Sequence, residues 1–206
     1  KHFTMEEILT STMITDPIRL LEICATNEGA AALVLTTRET AEKHRVKPVT
    51  LAAVAHTIAY FSSTFEPPSI QMNSRINNPS ATEVASKQAY EATGIGPADI
   101  DVAEVWDVTA FNEITLCEEL GFCPRGEGGP FLDHGETELG GRIPVNLSGG
   151  LICKGDPVGA SHLGQVVDVV RQLRGQCGPR QVPGARTGLA HAFGSDGHCA
   201  VTIVKT

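Results

Sequence analysis

Between residues 146 and 161 the chain reads Asn146-Leu147-Ser148-Gly149-Gly150-Leu151-Ile152-Cys153-Lys154-Gly155-Asp156-Pro157-Val158-Gly159-Ala160-Ser161. Glycines at this density let backbone approach a ligand closely, and a loop feeding a helix aims free N–H groups at negative charge. Asp156 is the carboxylate in the middle of that loop. It suits a general base or acid, the more so if partial burial raises its pKa. The same residue before Pro157 also suits a helix N-cap, and the two roles are compatible. Trp106 offers one N–H donor and no basic site, which fits a pocket wall or plain packing at a strand end. Asp107 beside it is a candidate site residue or the N-cap of the helix that follows. His191 can exchange a proton near neutral pH, or it is a satisfied core histidine. His162 reads as a partly exposed helix residue, and Asp196 and His198 as structural turn residues. The His and Cys positions show no metal-ligand spacing.

These groups need elements to hold them. Ser80, with Glu83 three residues on, signals a capping box opening a helix over 81–93 that Gly94 stops. A strand over 101–106 runs into a helix over 109–120 with apolar residues Phe111, Ile114, Cys117 and Leu120. A long glycine-rich connection, 121–146, leads into the loop. The helix after it, 158–174, is expected to bury Leu163, Val166, Val167, Val170 and Leu173 before Gly175 ends it. Ala30–Thr36 and Val49–Thr57 read as strands buried on both faces, with a charged helix over 38–44 between them. Two short amphipathic turns flank Asp16-Pro17, and 62–80 is the least regular stretch. Thr187–Ala192 and Cys199–Val204 pair as terminal strands. Alternating strands and helices with buried apolar strands predict an α/β architecture.

Composition excludes some functions. A net charge of −8 with no Lys/Arg cluster argues against nucleic acid. Apolar runs such as Ala30–Leu35 are too short to span a bilayer, no signal peptide is visible, and no membrane role is expected. The six cysteines form no C-x-x-C pair and read as reduced cytosolic thiols, so a cytoplasmic location is expected.

Stretches along the whole chain resemble the thiolase superfamily. The loop ending Gly155-Asp156-Pro157-Val158-Gly159-Ala160-Ser161 resembles the family's N-x-x-G-G-x-x-x-x-G-H-P-x-G-A-S, with aspartate in place of the active-site histidine. Cys24 to Leu33 is similar to a segment ending D-G-A-A-A, with Glu28 for the usual aspartate. Glu104-Val105-Trp106-Asp107 resembles the E-V-H-D of the sterol-carrier-protein or lipid-transfer branch. Leu120–Gly129 and Gly140–Asn146 are similar to that branch too, and Ala190-His191-Ala192-Phe193-Gly194 stands where related enzymes have H-N.

The resemblance implies a thiolase-like fold, the C-terminal domain with a mixed sheet layered between helices. It divides the chain into 1–29, the end of an N-terminal half and linker, and 30–206, the domain itself. It further implies a coenzyme A thioester as substrate, no bound cofactor, and chemistry at the bond between the α and β carbons. Asp156, His191, Trp106 and Asp107 would be the catalytic residues. Asn146, Ser148, Gly149, Gly150, Gly155, Ser161, Phe193 and Gly194 would line the substrate. The half that carries the nucleophilic cysteine is not in this sequence, so a fragment or a split subunit is expected. Partners would be the N-terminal half or a second subunit, a homodimer mate, and an OB-fold, zinc-containing protein. Histidine lost at both 106 and 156 tilts the expectation toward a lipid-transfer-type aldolase. A thiolase completed by the other half, or a non-catalytic subunit that binds acyl-CoA or a catalytic partner, remains open.

Overall fold

The computed structural model describes residues 2–44, 47–58, 79–194 and 197–206. Most of the irregular stretch expected over 62–80, and the turn residue Asp196, lie outside them. The chain opens with helix α1 (Met5–Thr10) and a small hairpin of β1 (Met13–Thr15) and β2 (Ile18–Arg19), followed by a 3-10 turn at Leu20–Glu22. Helix α2 (Arg38–Lys43) precedes β3 (Thr50–Ile58). Helix α3 (Ala81–Thr93) leads to β4 (Val102–Glu104), then α4 (Ala110–Glu119), α5 (Gly128–Asp133), α6 (Gly150–Lys154) and α7 (Ala160–Arg174). Strands β5 (Thr187–Phe193) and β6 (His198–Lys205) close the chain.

Four strands form one mixed sheet in the order β3-β6-β5-β4. β6 is antiparallel to β3 and β5, and β4 is parallel to β5. Helices cover both faces. On one, Ala85 and Ala89 of α3 share a core with Ala103, Leu189, Val201 and Ile203. On the other, Val169 and Leu173 of α7 pack with Val102, Ala190 and Val204. Gly188 marks the closest approach of α7 to β5, because a Cβ there would run into Val169. Leu189, Val201 and Ile203 have no exposed surface, and burying each such side chain contributes about 1.5–3 kcal/mol.

The expected capping box is formed: Ser80 Oγ accepts the Glu83 N–H at 3.1 Å, and Glu83 Oε2 accepts the Ser80 N–H at 2.6 Å. Gly94 takes the left-handed conformation, φ 67°, that ends α3, and Gly175 ends α7 in the same way.

Elsewhere the structure corrects the sequence reading. Residues 30–36 form no strand, and Val34 and Leu35 are exposed. The composition suits a strand, but a strand needs a partner edge, and none among the described residues reaches it. β3 is an edge strand rather than one buried on both faces, with Leu51, Val54 and Ile58 exposed. The buried face of α7 is Ser161, Gln165, Val169, Gln172 and Leu173, while Leu163 is exposed. Apolar spacing was misleading there because two glutamines lie inward. Gln172 does so at no loss, since its side chain bonds Arg180 and Val182. The 121–146 connection contains α5, the second N-terminal turn is the β2 strand with a 3-10 turn, and His198 begins a strand.

Candidate active site

The site gathers where β4 ends. Asn146 lies along the free edge of β4: its N–H donates to Ala103 O at 2.9 Å, and Pro144 O accepts the Ala103 N–H at 2.9 Å. Asn146 has φ 52°, among the described residues the sole non-glycine in the left-handed region, which asparagine tolerates better than most residues. From there Oδ1 accepts the Val105 N–H at 2.8 Å, and Nδ2 donates to Glu113 at 3.1 Å. Asn146 therefore joins the exit of β4 to α4.

Two buried carboxylates then grip the glycine loop. Glu104, 1% exposed, accepts the N–H and hydroxyl of Ser148 at 3.1 and 2.5 Å. Burial pushes its pKa up to about 7, against the pull of Lys154 and the Ser148 hydrogen bonds. Lys154 Nζ binds Ser148 Oγ, donates to Asp168 at 2.8 Å and stands 3.8 Å from Glu104. Asp107, 3% exposed, accepts the Leu151 N–H at 2.6 Å. Burial raises its pKa to about 7, opposed by backbone hydrogen bonds. Gly150, φ 61°, is required here, because a Cβ would collide with the Asp107 carboxylate.

Neither aspartate caps the helix assigned to it. Thr109 caps α4, and Asp107 instead tethers the start of α6. α7 begins at Ala160 after Gly159 with no side-chain cap. Asp156 lies upstream of that turn, and its Oδ1 accepts the Ser161 hydroxyl at 2.5 Å.

The N-terminal segment stitches the loops together. The Cys24 N–H donates to Val108 O at 2.8 Å, and the Asp156 N–H donates to Ala25 O at 2.9 Å. Asn27 Nδ2 donates to Lys154 O at 2.7 Å, lying where a Cβ on Gly155 would be. The Cys24 thiol has a raised pKa, first from burial and then from the carboxylates of Asp156 and Asp107. From β5, the Phe193 ring lies 5.7 Å from Trp106 at 38°, and Phe193 O bonds His162 Nε2 at 3.0 Å. Gly194 continues from it, its N–H donating to His198 O at 2.7 Å.

One connected set thus holds Trp106, Asp107, Asn146, Ser148, Gly149, Gly150, Gly155, Asp156, Ser161, Phe193 and Gly194. His191 lies outside the hydrogen bonds of that set, although the charge of His162 acts on it. It has no exposed surface, and its Nε2 faces Thr82 Oγ1 at 3.1 Å and Cys199 Sγ at 3.4 Å, between α3 and the sheet. Burial lowers its pKa to about 3, so its ring is neutral near pH 7. Sequence reasoning missed Lys154, Cys24 and the tethering work of Glu104 and Glu113. An acid among buried apolar strand residues was the available signal for Glu104. Among the described residues no group of three His, Cys, Asp or Glu side chains could hold a metal ion, and no helix is long and apolar enough to cross a membrane.

A mixed sheet between helices, with loops converging at the strand ends, is the architecture of a thiolase-like domain. The chain belongs to the thiolase C-terminal domain-like family, whose profile matches residues 62–206. It is similar to sterol carrier protein 2 of Bos taurus, 38% identical over 206 residues, 100% of this chain and 37% of that protein. An acetyl-CoA acetyltransferase of Methanothermobacter thermautotrophicus is 39% identical over 203 residues, 98% of this chain and 51% of that protein. A benzoylsuccinyl-CoA thiolase subunit of Thauera aromatica is 33% identical over 194 residues, 93% of this chain and 48% of that subunit. A solved structure titled Ltp2-ChsH2(DUF35) aldolase shares the fold, with TM-score 0.81 and 24% identity over 100% of this chain and 52% of that one. The chain therefore spans about half, or less, of the length of the relatives it matches.

Proposed function

We propose that this chain supplies the acid–base side of an active site that cleaves or forms the bond between the α and β carbons of an acyl-CoA. The favoured reaction is retro-aldol cleavage of a 3-hydroxyacyl-CoA, a steroid side chain being one such acyl group. The observation that carries the reading is the Asp156 carboxylate, held on Ser161 at the position where the family motif has its histidine. A carboxylate next to a thiol raises the thiol pKa and disfavours an acyl-cysteine. Retro-aldol cleavage needs a base for the β-hydroxyl and stabilisation of the resulting enolate, but no cysteine nucleophile. Coenzyme A enters as part of the substrate, and no further cofactor is called for.

The working particle in this reading is a cytoplasmic assembly. It contains the N-terminal thiolase half or a second subunit, a homodimer mate, and an OB-fold, zinc-containing partner. Its test is to give the complete protein a 3-hydroxyacyl-CoA without free coenzyme A. Release of an aldehyde or ketone with a shortened acyl-CoA supports the reading. Cleavage of a 3-ketoacyl-CoA that requires free coenzyme A would establish thiolysis instead. Binding without turnover of either would identify a non-catalytic subunit.

A further inference from the structure

The family resemblance implies histidines at the positions this chain fills with Asp156 and Trp106. The chain carries a different histidine directly after Ser161, in the first turn of α7. His162 is half-buried and lies against the end of β5, its Nε2 3.0 Å from Phe193 O. A carbonyl oxygen only accepts hydrogen bonds. Nε2 therefore carries a proton, and Nδ1 is the ring nitrogen left free of that bond. The ring is held in place by a backbone atom, which favours precise proton transfer. Its sequence neighbour Ser161 binds Asp156, and its hydrogen-bond partner Phe193 packs on Trp106.

We propose that His162 is the proton donor of this site, the cation that a carboxylate at position 156 cannot supply. The inference rests on the acyl-CoA reading above. The 3-hydroxyl gives its proton to Asp156. The C2–C3 bond breaks, C3 becomes a carbonyl, and the electron pair passes to the thioester enolate. The His162 imidazolium then gives its Nδ1 proton to C2, which completes the shorter acyl-CoA. The proton on Asp156 returns to the neutral imidazole, and both groups regain their starting state. Atoms and charge balance without an oxidant, a reductant or any co-reactant. The same donor, run in reverse as a base, would exchange the C2 hydrogens of a saturated acyl-CoA with solvent. That half-reaction needs the enolate but no C–C cleavage.

The test uses the complete protein in D2O with a saturated acyl-CoA, and in parallel with a 3-hydroxyacyl-CoA. His162→Gln keeps an N–H for the Phe193 carbonyl and removes the second ring nitrogen. It is expected to slow C2 exchange and kcat by about 100-fold or more, with KM within about threefold and the thermal midpoint unmoved. His162→Gly, with room for a ring, should recover exchange when free imidazole is added. A His162→Gln protein that exchanges at the wild-type rate would overturn the proposal, as would a wild-type protein that exchanges no C2 hydrogen. Wild-type exchange without cleavage, lost in His162→Gln, would remove the retro-aldol reading and leave the role of His162 standing.

Discussion

Ser161 and Asp156 face one another across the Pro157–Gly159 turn, the serine hydroxyl donating to Asp156 Oδ1 at 2.5 Å. Ser161 is buried on α7, so this bond fixes the carboxylate relative to the longest helix among the described residues. Asp156 is anchored a second time through its backbone, on Ala25. The catalytic candidate is therefore held by its neighbours and contributes no helix cap of its own.

That separation makes Asp156→Asn informative. The amide oxygen can still accept from Ser161, so stability should change by less than about 1 kcal/mol. The base is gone, and turnover should fall by about 100-fold or more. Denaturant unfolding and a product assay on the same preparation check both parts. A variant that unfolds easily yet keeps activity per folded molecule would mean that the residue is structural.

Gly150→Ala tests how tightly the loop is held. The substitution combines φ 61° with a Cβ that collides with the Asp107 carboxylate. Strain of this kind costs about 1–3 kcal/mol, and Asp107 would also be displaced from the Leu151 N–H. A fall in unfolding free energy of that size is expected. No fall would show that the loop yields freely and that Asp107 does not fix it.

The two buried carboxylates predict a pH dependence with a definite sign. Glu104 and Asp107 have folded-state pKa values raised to about 7, above their ordinary range near 4. A raised pKa means that the folded state binds more protons between those values. The stability they contribute is present below about pH 4 and is lost as pH rises through about 7. Thermal midpoints should fall from pH 5 to pH 8, and Glu104→Gln should flatten that fall. Midpoints that rise over this range would contradict the burial of these groups.

How much could be read from the sequence depended on whether a signal was local. The α3 capping box and its glycine stop were legible because all the participating groups lie within one helix. The loop and its family resemblance were legible because glycines carry their constraint with them. Residues 30–36 were misread since strand formation depends on a partner edge, which composition does not report. The buried face of α7 was misread because Gln165 and Gln172 point inward and apolar spacing assigns them outward. The bond from His162 to Phe193 spans 31 residues, and nothing in either local sequence announces it.

The last prediction concerns what the chain does alone. Val34, Leu35, Val54 and Ile58 are each more than half exposed, at 91%, 76%, 59% and 51%, and Leu51 is exposed at 44%. Three of these lie on β3, whose outer edge has no strand partner among the described residues. An unpaired edge with apolar side chains is a template for association, and contiguous apolar surface rarely stays bare in solution. The chain alone at micromolar concentration should therefore sediment as oligomers or aggregates. Addition of the N-terminal half or second subunit proposed above should convert it to a defined complex. A stable, monodisperse monomer would show that this surface needs no cover.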